Sequence, residues 1–406
     1  MAVTEPDLTR LVEQIHASPT KLVMYVTGGG VHAPTWLLSV PGASRTVLDV
    51  RVPYSPESLA DLVKRALPRD TDIGAIRSAS TEMAVAMASA AFREAASLSS
   101  FGTPVLGVGV TCALTTDRDR RGEDKAIICT KDSGGQVTVT RVGFEKGQLS
   151  RLEQDMLVSS VAIEAVAGAC GIETCETRAD ARHSIEREYI SQTDASDESE
   201  TRRRSIRSLL AGAVGTVEFS GGLVFLDAPR RNRLYLPGSF NPLHEGHKGM
   251  LVAASQHEPR KLGAAFELSV ENADKGLLEE GEIERRITQF VTADLPVVLT
   301  RAPLFTTKSD LFPGSTFVVG YDTAARLVQE RYYGSEAEMV RQFATLVERD
   351  CSFLVAGRFD ATTGTYCSLE DVHVPDVLAA MGMFAGIEED AFRNDISSTE
   401  LRKVGR

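Results

Sequence analysis

The chain has 406 residues, with 44 Lys and Arg against 56 Asp and Glu, and a formal net charge of -12. That balance argues against a nucleic-acid partner, whose phosphates need a basic footprint, yet leaves room for one small basic pocket. With 43% hydrophobic and 25% charged residues, the chain is long enough for two or three globular domains, each with its own core.

The N-terminal stretch MAVTEPDLTRLVEQIHASPTK has early acids and no apolar segment of the secretory kind. No apolar run nears the ~20 residues that a membrane helix needs, so a soluble, cytoplasmic protein without a membrane partner is expected. The cysteines Cys112, Cys129, Cys170, Cys175, Cys351 and Cys367 are scattered. They read as buried thiols, not as a disulfide framework or a zinc site.

A short amphipathic helix is predicted over 7–18, then a buried strand, LVMYVT (22–27), running into Gly28–Gly30. A second strand follows at 46–54, an Ala/Met-rich helix at 80–98, and strands in 104–115 and 125–144, the latter turning on an SGG tripeptide. A long helix over 148–171, closed by Gly171, completes an α/β domain spanning 1–175. Residues 176–230 read as a linker and a hairpin. SQTDASDESETRRRSIRS is a solvated charge run, and 214–228 turns on Gly221–Gly222. From 231 to 406, strands and helices alternate. Strands are predicted at 234–237, 262–270, 296–300, 316–320 and 352–357, and helices at 245–257, 279–293, 322–333 and 336–350. Such alternation implies a doubly wound parallel sheet, whose ligands bind beyond the carboxyl ends of the strands.

Three stretches of this second half sit where a strand ends or a helix begins. In GSFNPLHEGH (238–247), Gly238 frees the backbone, and His244 and His247 share one helical face. Gly246 removes a side chain between them. Two imidazoles at a helix N-terminus suit a polyphosphate, since no third ligand stands near for a metal; a partly buried His pair beside a tight turn is the plainer alternative. In TFVVGYDTAARL (316–327), Gly320 permits close approach and Asp322 either contacts a nucleotide or caps a helix. In DISSTELRKVGR (395–406), Ser397, Ser398 and Thr399 open a helix with Arg402 one turn on, which makes an anion clamp or an ordinary cap.

GSFNP…HEGH and ISSTELR resemble the HxGH and ISSTxxR signatures of the nucleotidyltransferase superfamily with a Rossmann-like fold. The resemblance spans about 231–406. More narrowly, GSFNPLHEGH, APLFTTKSDLFPGSTFVVGYDT and ISSTELR resemble nicotinamide-nucleotide adenylyltransferases. This implies transfer of AMP from ATP to nicotinamide or nicotinic acid mononucleotide, with release of pyrophosphate. It places His244 and His247 on the triphosphate, with backbone contacts from Gly238, Ser239, Phe240 and Asn241. Ser397, Ser398, Thr399 and Arg402 would hold the β- and γ-phosphates, and magnesium would bridge phosphates through water. Lys275 or Lys308 would take the acceptor phosphate. Phe305 or Tyr321 would stack on the acceptor ring, because the only Trp is Trp36, in the first half. Transfer to another phosphate ester such as phosphopantetheine, and a non-catalytic nucleotide-binding regulator, are the alternatives.

In the first half, MYVTGGG, PYSPES and GVGVTCALTTDRDRRGEDKAIICT resemble the CinA-type nicotinamide-nucleotide amidase domain over about 8–172. Its nucleophilic Ser falls at Tyr25 and its Lys at Leu59, while its Tyr falls at Tyr54. The resemblance therefore implies an inactive relative that serves homo-oligomerisation, ligand sensing or scaffolding.

Overall fold

The computed structural model describes residues 5–64, 72–118, 121–174, 177–191, 198–272, 276–360 and 364–393. The chain divides into two compact α/β units, one of Met1–Ser99 with Thr103–Ser196, the other of Ser100–Gly102 with Asp197–Arg406.

The first unit is a six-stranded mixed sheet made of β1 (Lys21–Thr27), β2 (Val47–Arg51), β3 (Val105–Ala113), β4 (Asp124–Asp132), β5 (Val137–Phe144) and β6 (His183–Ser191). The order is β2-β1-β3-β4-β5-β6, parallel through β2-β1-β3 and antiparallel beyond. Helices Glu5–Ala17, His32–Ser39 and Arg151–Ala169 cover one face through Val12, Ile15, Leu37, Val158, Ile163 and their neighbours. Helix Thr81–Leu98 packs so tightly on the other face that β3 carries glycines beneath it. A Cβ at Gly107 would lie 2.2 Å from the Ala88 carbonyl oxygen.

The second unit is an eight-stranded sheet. Its strands are β7 (Thr216–Ser220), β8 (Leu223–Leu226), β9 (Leu234–Pro237), β10 (Ala264–Ser269), β13 (Val297–Thr300), β14 (Thr316–Gly320), β15 (Ser352–Ala356) and β18 (Phe384–Ile387). The numbers between belong to small hairpins, β11 (Glu271–Asn272) with β12 (Gly276–Leu277) and β16 (Arg358–Asp360) with β17 (Thr365–Cys367). The order is β18-β15-β14-β9-β10-β13-β7-β8, and the six strands from β18 to β13 are all parallel. Counted in chain order, those six run 6-5-4-1-2-3, the doubly wound pattern whose direction of winding reverses between β9 and β14. Neighbouring residues of one strand serve opposite faces. Leu234 and Leu236 join a core with Leu251, Ile283, Ile287 and Phe290, while Tyr235 joins one with Phe312, Met339 and Phe343.

The stretch 176–230, expected as linker and hairpin, divides between the units. Residues 183–191 are β6, paired with β5 along its length. As an edge strand with one solvated face, HSIEREYIS is polar enough to pass for a linker. Glu198–Leu210 is a helix that buries Ile206 and Leu209 in the second core. The β7–β8 hairpin extends the second sheet antiparallel on β13. The helix expected over 322–333 stops at Leu327, where the Tyr333 hydroxyl donates to the Leu327 carbonyl at 2.8 Å.

Candidate nucleotide site at the reversal of the sheet

The reversal between β9 and β14 places two of the sequence stretches side by side. Gly238–His247 leaves the carboxyl end of β9, and Gly320–Asp322 leaves that of β14, its neighbour in the sheet.

His244 is the residue before helix Glu245–His257, and His247 lies in its first turn. Their rings stack, 3.7 Å between centroids at 23°. The His244 backbone N–H points at His247 Nδ1 across 3.4 Å, which makes Nδ1 the acceptor and leaves the proton on Nε2. Burial, and then the neighbouring His244, pull the His247 imidazole down to about 4; burial lowers His244 as well. Near neutral pH the pair is therefore uncharged, and its ring N–H groups can donate hydrogen bonds.

The loop before the pair is built around Phe240. Its ring is 1% exposed and meets Phe266, Phe290 and His247 edge-on at 5.3, 5.1 and 5.0 Å. Its backbone is left-handed, with φ 45°. A Cβ at Gly238 would lie 2.7 Å from that ring, so glycine is required there by the loop itself. Phe240 thus holds the loop as a core residue, and what it can offer a ligand is backbone.

Helix Glu280–Thr292 pins the loop from outside. Gln289 accepts from the Leu243 N–H at 2.8 Å and donates to the Phe240 carbonyl at 3.2 Å. Arg286 donates to the Ser239 carbonyl at 3.0 Å, and Arg285 to the Asn241 side-chain oxygen at 2.8 Å. None of these three is visible as a site residue in the sequence, where ERRITQF looks like the solvated face of an amphipathic helix.

Beside the loop lies a cavity of about 770 Å3, walled by Gly238 and Ser239, the β10 residues Glu267 and Ser269, Phe305, Lys308, Arg326 and the pair Tyr332–Tyr333. Phe305 stands in the wall, whereas Tyr321 is not among the lining residues. Lys308 is 4% exposed and donates to both Glu267 oxygens and to the Ala302 carbonyl, each at 2.7 Å. That commitment takes all three of its protons. Arg326, also in the wall, stacks on Tyr332 at 5.4 Å and has no carboxylate partner among the described residues. Asp322 is exposed and paired with Arg358. A Cβ at Gly320 would meet none of the described residues within 4 Å, at an ordinary φ of -78°. Lys275, Ser397, Ser398, Thr399 and Arg402 lie outside the described residues.

In the first unit, Tyr25 and Leu59 are core residues at 3% and 4% exposure, and Tyr54 is 68% exposed. The loop Gly28–Gly30 is filled by the protein itself. Added Cβ atoms would lie 2.2 Å from the Cys112 carbonyl oxygen, 2.4 Å from Leu114 and 3.0 Å from Val110. Asp155 accepts from the Gly30 N–H at 2.7 Å and bonds His32 Nδ1 at 2.6 Å, while Arg151 donates to the Gly28 carbonyl at 3.1 Å.

Residues 235–404 match the family described as Cytidylyltransferase-like, so this part of the chain carries a domain of nucleotidyl-transfer type. A solved structure of the competence/damage inducible protein CihA from Agrobacterium tumefaciens is 17% identical, aligned over 42% of this chain and 99% of its own, with a TM-score of 0.33. One of a competence-damaged protein (CinA) superfamily member from Klebsiella pneumoniae is 12% identical over 41% and 96%, with a TM-score of 0.32. No curated protein matches the chain. Among the described residues, no helix is long and apolar enough to cross a membrane.

Proposed function

We propose that the second unit transfers AMP from ATP to a pyridine mononucleotide, nicotinamide or nicotinic acid mononucleotide, and releases pyrophosphate. The observation that carries this reading is the pair of neutral imidazole donors fixed at the sheet reversal, beside an aromatic-walled cavity that carries Arg326.

A phosphate oxygen of the acceptor, ionised at neutral pH, bonds to the α-phosphorus of ATP. The bond from that phosphorus to the bridging oxygen breaks, and pyrophosphate leaves with the electron pair, so no general base is needed. Catalysis rests on alignment and on donors aimed at the oxygens that gain charge. His244 and His247, with the N-terminal N–H groups of their helix, supply such donors to the triphosphate. Arg326 suits the acceptor phosphate, and Phe305, Tyr332 and Tyr333 suit a flat ring. Gly320 supports the close approach of a nucleotide, because none of the described residues lies within 4 Å of a Cβ there. Ser397, Ser398, Thr399 and Arg402 would close on the β- and γ-phosphates.

The described residues contain no group of three or more His, Cys, Asp or Glu able to hold a metal ion. Magnesium would come with the triphosphate, held by phosphate and water. For the first unit we propose a non-catalytic role in self-association.

The test is direct. Full-length protein with ATP, magnesium and either mononucleotide should release pyrophosphate and form the dinucleotide. Absence of turnover with both pyridine acceptors, together with turnover of phosphopantetheine, would move the assignment to that ester. Absence with all three would leave the transferase reading without support.

A further inference from the structure

The loop that leads into the histidine pair is closed by a side chain from another element. In a four-residue turn the first carbonyl commonly meets the fourth N–H directly. For Phe240–Leu243 those two groups meet the amide of Gln289. Its Oε1 accepts from the Leu243 N–H at 2.8 Å, and its Nε2 donates to the Phe240 carbonyl at 3.2 Å. Nε2 also donates to the Arg286 carbonyl at 3.1 Å, one turn back on its own helix. The amide therefore has one orientation. Reversed, it would set an NH2 group against an N–H and its oxygen against two carbonyls.

The position of Gln289 is fixed from behind. Its helix, Glu280–Thr292, is anchored by Ile283, Ile287 and Phe290, all fully buried. Gln289 itself is half-buried and precedes Phe290. Directly after the clamped Leu243 comes His244. The His244 N–H points at His247 Nδ1 across 3.4 Å, and its carbonyl accepts from the His247 N–H at 3.0 Å. The amide of Gln289 thus sits one peptide away from the groups that set where the two rings lie.

We infer that Gln289 is a positioning residue for the transfer, whose amide fixes the peptide path from Phe240 to Leu243 and so the direction in which His244 and His247 present their rings. This rests on the transferase reading above. Gln289 acts through the loop and not on the substrate. Its loss should be felt in kcat more than in KM, because aimed donors matter most where charge develops in the transition state.

Two variants separate the roles of the amide. Gln289→Met keeps the length of the side chain and deletes both polar groups. Gln289→Glu keeps the acceptor and deletes the donor. Full-length protein with ATP, magnesium and nicotinamide mononucleotide should show kcat lowered about tenfold in both, with the KM for ATP within about threefold of wild type. Nitrogen NMR of the imidazoles supplies a reading that does not depend on turnover. Wild-type His247 should carry its proton on Nε2, and its ring resonances should move in both variants, whereas a side chain serving stability alone would leave them in place. Wild-type kcat in Gln289→Met, unmoved ring resonances, or a proton on Nδ1 of His247 in the wild-type protein would each overturn the inference. So would loss of the folded circular dichroism spectrum in both variants, since Gln289 would then hold the domain and not the loop. Resonances that move on substitution, in a protein that turns over no acceptor, would sustain the positioning of the rings and remove the transferase reading.

Discussion

Each unit contains a glycine-bearing loop that leaves the carboxyl end of a parallel strand and is pinned by a helix from elsewhere in that unit. After β1, Asp155 and Arg151 hold Gly28–Gly30 from one face of a helix. After β9, Arg286 and Gln289 hold Ser239–Leu243 in the same way. The difference is what the glycines make room for. In the first unit, they admit the carbonyl of Cys112 and the side chains of Leu114 and Val110. In the second, Gly238 admits the ring of Phe240 from its own loop, and at Gly320, across the sheet reversal, none of the described residues fills the space. A glycine-rich turn after a strand is therefore a packing device in one unit and a candidate ligand cradle in the other, and the two are indistinguishable as strings of letters.

Four measurements would break or sharpen that contrast. The largest effect is expected for His247→Ala, which removes a donor without emptying the core around Phe240. Pyrophosphate release should fall by about 10²–10³-fold, in line with loss of one preorganised donor, while the circular dichroism spectrum is retained. Gly28→Ala should next cost the first unit about 3 kcal/mol, from overpacking against Cys112 and a left-handed backbone. Its unfolding midpoint in urea reports this, and a midpoint equal to wild type would mean that the loop is not packed as described. Gly320→Ala should leave the unfolding midpoint within about 0.5 kcal/mol yet raise the KM for ATP about tenfold, the loss of ~1.4 kcal/mol of binding. If it instead destabilises the protein with KM unchanged, Gly320 serves packing, as Gly28 does.

The smallest effect concerns acid. An unfolded imidazole titrates near 6.5, whereas His247 in the folded chain is lowered to about 4 by burial. The unfolded state then binds the proton first. The contribution of this group to stability is complete above about pH 6.5, and is lost progressively as the pH falls toward 4. Melting curves at pH 7 and pH 5 should show a larger drop for wild type than for His247→Ala.

Much of this site is legible in the sequence because its parts are local. His244, His247 and Gly238 fall within ten residues of one strand, and periodicity alone marks that strand and the following helix. The partner of Lys308 is not legible, since Glu267 lies 41 residues away and only the pairing of strands brings them together. Tyr332 and Tyr333 are hidden for another reason. They sit in a run that reads as continuous helix, and only the stop at Leu327 turns them into a cavity wall. The antiparallel hairpin is recognisable from its glycine turn, but nothing local says which sheet it joins.

That hairpin decides how the second unit can be cut from the chain. Val297–Thr300 is buried throughout, and β7 covers its free edge. A fragment begun at 231 would strip away β7 and β8 and present an apolar, unpaired strand edge to other molecules, a ready template for aggregation. A fragment begun at Asp197 keeps the cover, and ends its sheet on β8, a strand of only four residues. Shortness of that kind is how a sheet avoids growing into its neighbours.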